Sequence, residues 1–295
     1  MSATMITIDN VSKSFRRHRV LDSVSLRIER GHRVALVGSN GAGKTTLIRC
    51  LLGEYIHTGD ITLGGLHPRN HRQQVLKKIG FVPQLPPPLK MPVSQLIEFA
   101  AGVCDSDPDR MYAVSDTLGL DARQFRRQPF VKLSGGQKQK LLIAIALGRA
   151  CDLLIMDEPA ANLDPEARHK LFQLLAERQD AAAMLISSHR LDEVAALVNR
   201  VVEMDQGRIV LDDHVADAVD MDSVLACTLT LAHSDSAFAA TAQEWQFEPH
   251  DDGRVWQGQV AGPDRLRFLG VLSRYAGLLR GIRMEETHAR EDESR

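Results

Sequence analysis

The sequence has 295 residues, of which 44% are hydrophobic, and its formal net charge at pH 7 is −2. This length allows one large or two modest domains with packed cores, and the charge excludes a basic surface for nucleic acid, so we expect no nucleic-acid partner. Cys50, Cys104, Cys151 and Cys227 have no paired spacing, which favours reduced thiols in a cytosol over disulfides or a zinc site. No apolar run reaches the ~18 residues of a membrane span, and no secretory signal is evident, so we expect a soluble protein.

The chain begins with alternating polar and apolar residues, a pattern that predicts β-strands. Residues 5–8 predict an edge strand, residues 11–15 continue the sheet, and residues 20–28 alternate again before a turn. Phe15 ends the second segment and is a candidate to stack on an adenine ring. The alternative for Phe15 is a core aromatic at a strand end.

The most specific motif is Gly-Ser-Asn-Gly-Ala-Gly-Lys-Thr at residues 38–45, which matches the phosphate-loop pattern G-x-x-x-x-G-K-[ST]. A buried-strand pattern at 33–37 precedes it and a helical pattern at 46–52 follows it, as the motif requires. Glycines let the loop turn its N–H groups toward a polyphosphate, and the helix N-terminus adds further donors. Lys44 is expected to reach the β- and γ-phosphates, and the Thr45 hydroxyl to ligate Mg²⁺. The predicted nucleotide-binding residues of this loop are Ser39, Asn40, Gly41, Ala42, Gly43, Lys44, Thr45 and Thr46.

The next elements are short. Residues 59–65 predict a strand and turn, residues 73–78 a basic helix, and residues 79–84 a strand that ends on Gln84. A glutamine at a strand end is often only a polar cap. Its place between the phosphate loop and a helical region makes Gln84 a candidate for contact with Mg²⁺ or the attacking water.

A proline-rich segment at residues 85–92 cannot be helical. Amphipathic spacing then predicts helices over 93–102 and 111–120, separated by an acidic break. Because this stretch interrupts the alternation of strands and helices, we interpret about 85–150 as a helical subdomain. Its apolar and proline residues would suit a partner's groove, and ordinary helix packing is the equal alternative.

The pentapeptide Leu-Ser-Gly-Gly-Gln occupies residues 133–137, ahead of a helix predicted over 138–148. Its glycines and serine can form a second anion site at a helix N-terminus. Ser134 as N-cap with Gln137 at its third position would instead form a capping box, and both descriptions can hold. The candidate nucleotide-binding residues here are Ser134, Gly135, Gly136 and Gln137.

An apolar strand pattern at residues 152–158 ends in two carboxylates. Asp157 can hold the Mg²⁺ shell together with Thr45, and Glu158 can orient and deprotonate the attacking water. A loop follows, in which Asp164 can cap the helix predicted over 166–178.

Another buried strand, residues 183–189, ends in His189. A histidine in this place is often structural. Ligands of open parallel sheets bind at the carboxyl edge, however, so His189 is a candidate to bond the γ-phosphate. A helix over 191–199 and a hairpin with its turn at 205–207 complete this part of the chain.

These motifs occur in the order and rough spacing of ATP-binding subunits of ABC transporters, which the chain resembles over about residues 5–215. The resemblance implies an α/β fold: a P-loop NTPase core with a mostly parallel sheet, an antiparallel β subdomain and a helical subdomain. It implies ATP and Mg²⁺ as cofactors, with hydrolysis of ATP. The matching motifs are residues 38–45, Gln84, 133–137, 153–158, 161–164 and His189.

The resemblance also implies partners. A head-to-tail dimer, most simply a homodimer, would place ATP between the Lys44 loop of one subunit and residues 134–137 of the other, with Asp164 nearby. Two departures are Phe15, where the family often has tyrosine, and Asn162 in a loop that commonly reads Ser-Ala-Leu-Asp.

A motor subunit of this kind would work with integral membrane permease subunits, peripherally on the cytoplasmic face of the membrane, and a periplasmic or extracellular accessory protein is a further possible partner. Two alternatives stay open. A soluble ABC ATPase acting on ribosomes or DNA normally carries two cores or a long coiled coil. A regulatory module would use ATP only to hold subunits together.

Beyond an ATP-binding domain of residues 1–220, the pattern predicts a small α/β accessory domain at 221–285 and a charged tail at 286–295. The accessory domain follows the core, as a compact tail does in ABC-2-type systems, which the chain resembles in this respect. The layout of the accessory domain is similar to that in the ATP-binding subunit of the copper-maturation transporter of nitrous oxide reductase. That resemblance favours export or assembly of an extracytoplasmic protein. The domain could bind a regulator, pair with its twin or brace the core. The predicted elements are strands at 225–231, 255–260 and 279–284 and helices at 236–244 and 264–278.

Overall fold

The computed structural model describes residues 4–178, 182–189, 191–214, 224–261, 268, 271–272, 275 and 277–287. The chain divides into two compact units, Met1–Val215 and Ala216–Arg295. Most of the helix expected at 264–278, the boundary expected at residues 220 and 221, and the charged tail from residue 288 lie outside the described residues. The domain limits therefore stay predictions.

The first unit contains a six-stranded sheet, a three-stranded sheet and the helices that cover them. Its strands are β1 Thr4–Phe15, β2 His18–Glu29, β3 Arg33–Val37, β4 Thr58–Leu63, β5 Ile79–Val82, β6 Leu153–Asp157, β7 Ala183–Ser188, β8 Arg200–Asp205 and β9 Arg208–His214. Its α-helices are α1 Lys44–Leu51, α2 Arg72–Lys77, α3 Val93–Val103, α4 Pro108–Thr117, α5 Gly135–Leu147, α6 Pro165–Ala176 and α7 Leu191–Val194, with 3₁₀ turns at Phe130–Lys132 and Ala195–Leu197. In the part of the chain that the structure describes, no helix is long and apolar enough to cross a membrane.

The larger sheet has the strand order β5-β6-β7-β3-β8-β9, with β9 antiparallel and all other neighbours parallel. Alternate residues of its central strands face two separate hydrophobic clusters, so both faces of the sheet are buried. In β6, for example, Leu153 and Ile155 belong to one cluster and Leu154 and Met156 to the other. Because the strands are parallel, the carboxyl ends of β3, β6 and β7 meet at one edge.

The smaller sheet is antiparallel and has the order β2-β1-β4. The expectation that residues 5–8 form an edge strand was wrong, since β1 is central: Ile6 pairs with Ile28 on one side and with Leu63 on the other. Alternation of polar and apolar residues indicates that one face of a strand is buried, but it does not indicate how many strands pair with it.

The helical subdomain packs α3, α4 and α5 around an apolar cluster that includes Ile97, Met111 and Phe130. Helix α4 begins three residues earlier than the sequence pattern predicts, because Asp107 caps it and Pro108 occupies its first turn. The fold expectation is confirmed: a P-loop core carries an antiparallel β subdomain and a helical subdomain.

The second unit contains a four-stranded antiparallel sheet with the order β11-β12-β10-β13, the helix α8 and a 3₁₀ turn at Asp251–Gly253. Its elements are β10 Val224–Leu231, α8 Ser236–Glu244, β11 Glu248–His250, β12 Val255–Ala261 and β13 Leu279–Thr287. The core includes Leu229, Phe238, Trp256 and Phe268. Strand β11 is absent from the sequence expectation because its three residues are all exposed and show no alternation.

The turn of the β8–β9 hairpin braces the glycine loop of the first unit. Gly207 donates its N–H to the Ala42 carbonyl (3.0 Å), and Asp22 donates its N–H to the Gly207 carbonyl (2.9 Å). The Arg208 guanidinium also pairs with Asp22 and holds the pKa of that carboxyl below its ordinary value. A Cβ at Gly207 would lie 2.3 Å from the Val20 carbonyl oxygen, so this contact requires glycine.

Gly207→Ala is expected to lower the free energy of unfolding by roughly 2–4 kcal/mol. Left-handed backbone (φ 80°) costs alanine about 1 kcal/mol, and displacing the Val20 carbonyl adds roughly 1–3 kcal/mol. The matched control is Gly31→Ala, since Gly31 has φ 85° and no atom within 4 Å of an added Cβ. Calorimetric unfolding of the full chain measures both variants, and equal losses would contradict the proposed role of the close contact.

Candidate functional site

The loop between β3 and α1 is shaped by its glycines. A Cβ at Gly38 would lie 2.3 Å from the Met204 carbonyl oxygen, and one at Gly43 would lie 2.9 Å from the Val20 carbonyl oxygen. Gly41 has open space around it but a φ of 88°, which side chains rarely adopt. The loop therefore needs glycine at two positions for room and at a third for backbone conformation.

Lys44 lies in the first turn of α1 and is only 5% exposed. Its Nζ donates to the carbonyl oxygens of Gly38 (2.6 Å) and Ser39 (3.1 Å). Burial lowers the pKa of the Lys44 ammonium, and the nearby carboxylates of Glu158 and Asp157 oppose this shift. The loop thus encloses a buried cation beside two acidic groups.

The three residues predicted as catalytic meet at one carboxylate. Gln84, just beyond β5, donates from Nε2 to Glu158 Oε2 at 3.2 Å. His189, just beyond β7, has its Nδ1 3.5 Å from the same oxygen. The Glu158 side chain is 12% exposed, so an acidic group at the edge of the sheet is contacted by residues from two neighbouring strands.

Asp157 and Glu158 are both hydrogen-bonded to Ser187. Ser187 is not among the site residues predicted from the sequence. Asp157 is 3% exposed and accepts a 2.6 Å hydrogen bond from the Ser187 hydroxyl. Glu158 has a φ of 47° and donates its N–H to Ser187 Oγ at 3.0 Å. The one available signal was a pair of serines, Ser187 and Ser188, at the end of an otherwise apolar strand.

A cleft opens over the glycine loop and reaches the Glu158 side chain. The residues that line it are Val20, Asn40, Gly41, Ala42, Gly43, Lys44, Thr45, Thr46, Gln84 and Glu158. His189 lines a second pocket, on which Glu158 also borders. Glu158 therefore lies between the two openings.

Phe15 is not among the residues that line this cleft. Its ring is 41% exposed and makes an edge-to-face contact with Tyr55 at 5.2 Å between centroids. The Lys13 ammonium lies 4.6 Å from the Phe15 centroid. The structure therefore leaves the predicted adenine contact of Phe15 untested.

The pentapeptide of residues 133–137 forms the capping box of α5. Ser134 Oγ accepts from the Gln137 N–H (3.2 Å), and Gln137 Oε1 accepts from the Ser134 N–H (2.9 Å). Helix α5 consequently begins at Gly135, three residues before the predicted start. Ser134 and Gly135 are exposed, Gly136 and Gln137 are half-buried, and none of the four lines the cleft at Lys44.

Asp164 is engaged within its own chain. Its Oδ1 caps α6 by accepting from the Ala167 N–H (2.9 Å), and its Oδ2 lies 2.8 Å from Lys140 Nζ. The Lys140 ammonium and the Ala167 N–H hold the pKa of the Asp164 carboxyl below its ordinary value. This ion pair joins α5 to the loop that follows Glu158.

The donor set at the edge of the sheet fits magnesium. Thr45, Gln84 and Asp157 offer hydroxyl, amide and carboxylate oxygens, the hard ligands that Mg²⁺ prefers. Within the described ranges, no group of three or more His, Cys, Asp and Glu side chains could hold a metal ion. A Mg²⁺ ion held by these three oxygens would take its remaining ligands from water and phosphate, as it does in nucleotide sites.

A phosphate loop at the carboxyl edge of a parallel sheet, beside an acidic strand end, defines a P-loop nucleoside triphosphatase. The ABC transporter family model matches residues 21–161. The chain is 34% identical over 209 residues to the zinc import ATP-binding protein ZnuC of Photorhabdus laumondii, covering 69% of this chain and 76% of that protein. It is 33% identical over 217 residues to the arginine transport ATP-binding protein ArtM of Bacillus subtilis, covering 70% and 90% respectively.

Among solved structures, an ATP-binding subunit of an ABC transporter aligns with a TM-score of 0.66 at 25% identity, covering 72% of this chain and 91% of that one. The chain therefore belongs to the family of ABC transporter ATP-binding proteins, which bind ATP and hydrolyse it to power transport.

Lys44→Ala is expected to weaken ATP binding by roughly 10- to 100-fold, because each hydrogen bond to a charged group contributes about 1.5–3 kcal/mol. Fluorescence titration with a labelled ATP measures the dissociation constant. Lys78→Ala is the control, since Lys78 is exposed and lies outside the cleft residues. Unchanged binding in Lys44→Ala would show that the buried ammonium does not contact the phosphates.

Proposed function

We propose that this chain is the motor subunit of an ABC transporter, in which ATP closes a dimer and hydrolysis reopens it to drive a membrane permease. The observation that carries the proposal is the meeting of Gln84 and His189 at Glu158, at the end of the cleft that contains Lys44. A ligand drives a conformational change only by binding one state better than the other. Closure by ATP therefore requires a site that is complete only in the dimer.

Residues of the cleft, together with Asp157 and His189 beside it, have proposed tasks. The N–H groups of the glycine loop and Lys44 bind the phosphates, Glu158 accepts a proton from the attacking water, and His189 bonds the γ-phosphate. Thr45, Asp157 and Gln84 would hold Mg²⁺. When bound, the ion neutralises charge that develops on the phosphate oxygens.

The second half of the site comes, in this proposal, from a second copy of the chain. The capping box of α5 uses the N–H groups of Ser134 and Gln137, which leaves those of Gly135 and Gly136 as donors at the helix N-terminus. Since none of these residues lines the cleft of its own Lys44, they suit a nucleotide bound by the partner. Asp164 supports this surface through its ion pair with Lys140.

For the adenine we propose the exposed ring of Phe15, close to the cleft residue Val20 in the paired strands β1 and β2. Aromatic rings stack on bases without hydrogen-bond readout, so phenylalanine serves as well as the tyrosine common in the family.

Glu158→Gln is expected to retain ATP binding, to lose at least about 100-fold in turnover and to accumulate as an ATP-bound dimer, because the amide cannot accept the proton of the water. Phosphate release and size-exclusion chromatography with ATP measure the two effects. Glu166→Gln is the control, since Glu166 is an exposed carboxylate that pairs with Lys170 on its own helix. A Glu158→Gln variant that hydrolyses ATP at the wild-type rate removes Glu158 from the mechanism.

The permease contact is proposed on the helical subdomain. Five large apolar side chains there are exposed, with Leu85 at 74% and Phe99 at 61%, and exposed apolar side chains that form a patch mark interaction surfaces. The set is Leu85, Met91, Phe99, Val103 and Val131. Docking to an integral membrane partner would place the chain on the cytoplasmic face of a membrane.

Phe99→Asp is expected to reduce capture of that permease by at least about tenfold, because the change places an unpaired charge in an apolar contact. The experiment is tagged capture of the full chain from detergent-solubilised membranes, with mass spectrometry of the retained proteins. Val210→Asp is the control, since Val210 is 58% exposed on β9, outside this surface. Ribosomal proteins in place of a membrane protein would favour the soluble ATPase, and loss of the permease in both variants would refute the assigned surface.

We propose that the transporter works in the export direction, or that it assembles an extracytoplasmic protein with a periplasmic or extracellular accessory partner. The support is the resemblance of residues 221–285 to the tails of ABC-2-type systems, including the copper-maturation transporter. ZnuC, in contrast, is named for import. The captured permease decides the direction, since an importer would be retained together with a substrate-binding protein. In either direction, phosphate release by the wild-type dimer excludes a module that uses ATP only to hold subunits together.

A further inference from the structure

We propose that Ser187 is a positioning residue for ATP hydrolysis, because its single hydroxyl fixes both the Asp157 carboxylate and the backbone of Glu158. The inference rests on the proposed function, in which Asp157 serves the metal ion and Glu158 the attacking water. Ser187 itself is completely buried; it borders the second pocket, with His189, and not the phosphate cleft. We therefore assign its effect to its two neighbours, Asp157 and Glu158.

The strand register places Ser187 where it can reach both residues. It is the fifth residue of β7 and pairs with Asp157, the last residue of the parallel strand β6. The four preceding positions of β7, residues 183–186, are apolar and buried. A hydroxyl at this depth is costly unless it is fully hydrogen-bonded, and this one both donates and accepts a hydrogen bond at the end of β6.

The direction of both hydrogen bonds is determined by the chemistry of the partners. The Glu158 N–H can only donate, and it donates to Ser187 Oγ at 3.0 Å. The single hydroxyl proton is therefore left for the Asp157 carboxyl oxygen Oδ1, which accepts it at 2.6 Å. The hydroxyl is thus oriented in one way, and the short distance to Asp157 is typical of a charge-assisted bond.

The bond to Glu158 stabilises an unusual backbone. Glu158 has a φ of 47°, in the left-handed region that residues other than glycine rarely adopt. Its N–H is held by both the carbonyl oxygen (3.2 Å) and the hydroxyl oxygen of Ser187. This turn directs the Glu158 carboxylate to Gln84 and His189. Strained backbone persists where surrounding contacts determine it and is enriched at catalytic sites.

The bond to Asp157 restricts the rotation of a buried carboxylate. With Oδ1 bonded to Ser187, the orientation of Asp157 is set before a metal ion arrives. Orienting the groups that hold a metal commonly changes affinity and rate without any contact to the metal itself. Ser187 would therefore affect the Mg²⁺ dependence through Asp157 and the turnover number through Glu158.

The test is a comparison of ATP hydrolysis by the full chain and its Ser187→Ala variant. We expect kcat to fall at least about tenfold and the Mg²⁺ concentration for half-maximal activity to rise severalfold, with the affinity for ATP in the absence of Mg²⁺ nearly unchanged. Ser115→Ala is the matched control: Ser115 is also completely buried, and its hydroxyl donates to the Tyr112 carbonyl at 2.8 Å in the helical subdomain. It should leave both parameters nearly unchanged.

A second pair of variants distinguishes the effect of losing the hydroxyl from the effect of a changed side-chain shape. Ser187→Thr and Ser187→Val have almost the same shape, and only threonine keeps the hydroxyl. We expect threonine to retain most of the turnover and Mg²⁺ dependence, and valine to match alanine. Equal activity of threonine and valine, or a Ser187→Ala variant with unchanged kcat and Mg²⁺ dependence, overturns the proposal. A wild-type chain that releases no phosphate instead refutes the proposed function, and this inference with it.

Discussion

The parallel register of β3, β7 and β6 is the constraint on which the site depends. Val37 pairs with Ser188 and Asp157 pairs with Ser187, so the three strands end at the same level of one sheet edge. The glycine loop, Glu158 and His189 each follow one of these strands within one or two residues. A slip of one residue in either pairing would invert the faces of a strand whose two sides belong to different clusters. The apolar packing of the sheet therefore fixes the chemistry at its edge.

In the proposed function, the charges at this edge account for the role given to Mg²⁺. Lys44 is a buried ammonium beside two carboxylates, Asp157 and Glu158, which partly offset the effect of burial on its pKa. Taken together, these three groups carry a net negative charge, which by itself disfavours a triphosphate. The positive contribution must come from the loop N–H groups, the N-terminus of α1 and a cation held at the oxygen donors. In the proposed function, a site of this composition would bind the nucleotide and the ion jointly.

The sequence predicted what local patterns can report. The phosphate loop, the acidic strand end and the hairpin at 205–207 are visible in the sequence pattern, and the mostly parallel core is what the resemblance to ABC ATP-binding subunits implies. Features that depend on contacts across strands were missed. These are the central place of β1, the turn at Glu158 and the two hydrogen bonds of the Ser187 hydroxyl. A serine in an apolar strand resembles any buried serine until the register shows which residue lies beside it. The capping box at Ser134 was foreseen as one of two descriptions, and its geometry confirms that one.

The two halves of the proposed ATP site are joined within each subunit. Lys140, one turn into α5, pairs with Asp164, which caps α6. A Cβ at Gly136 would lie only 3.3 Å from the Asn162 carbonyl oxygen, so the start of α5 packs directly on the loop after Glu158. Packed elements shift between discrete arrangements and do not deform continuously. A nucleotide held at the N-terminus of α5 by one subunit would therefore bias the loop after Glu158 in that same subunit, whose Glu158 serves the second nucleotide of the dimer. Closure of the dimer and positioning of Glu158 for hydrolysis would then be coupled, because the start of α5 packs on the loop after Glu158.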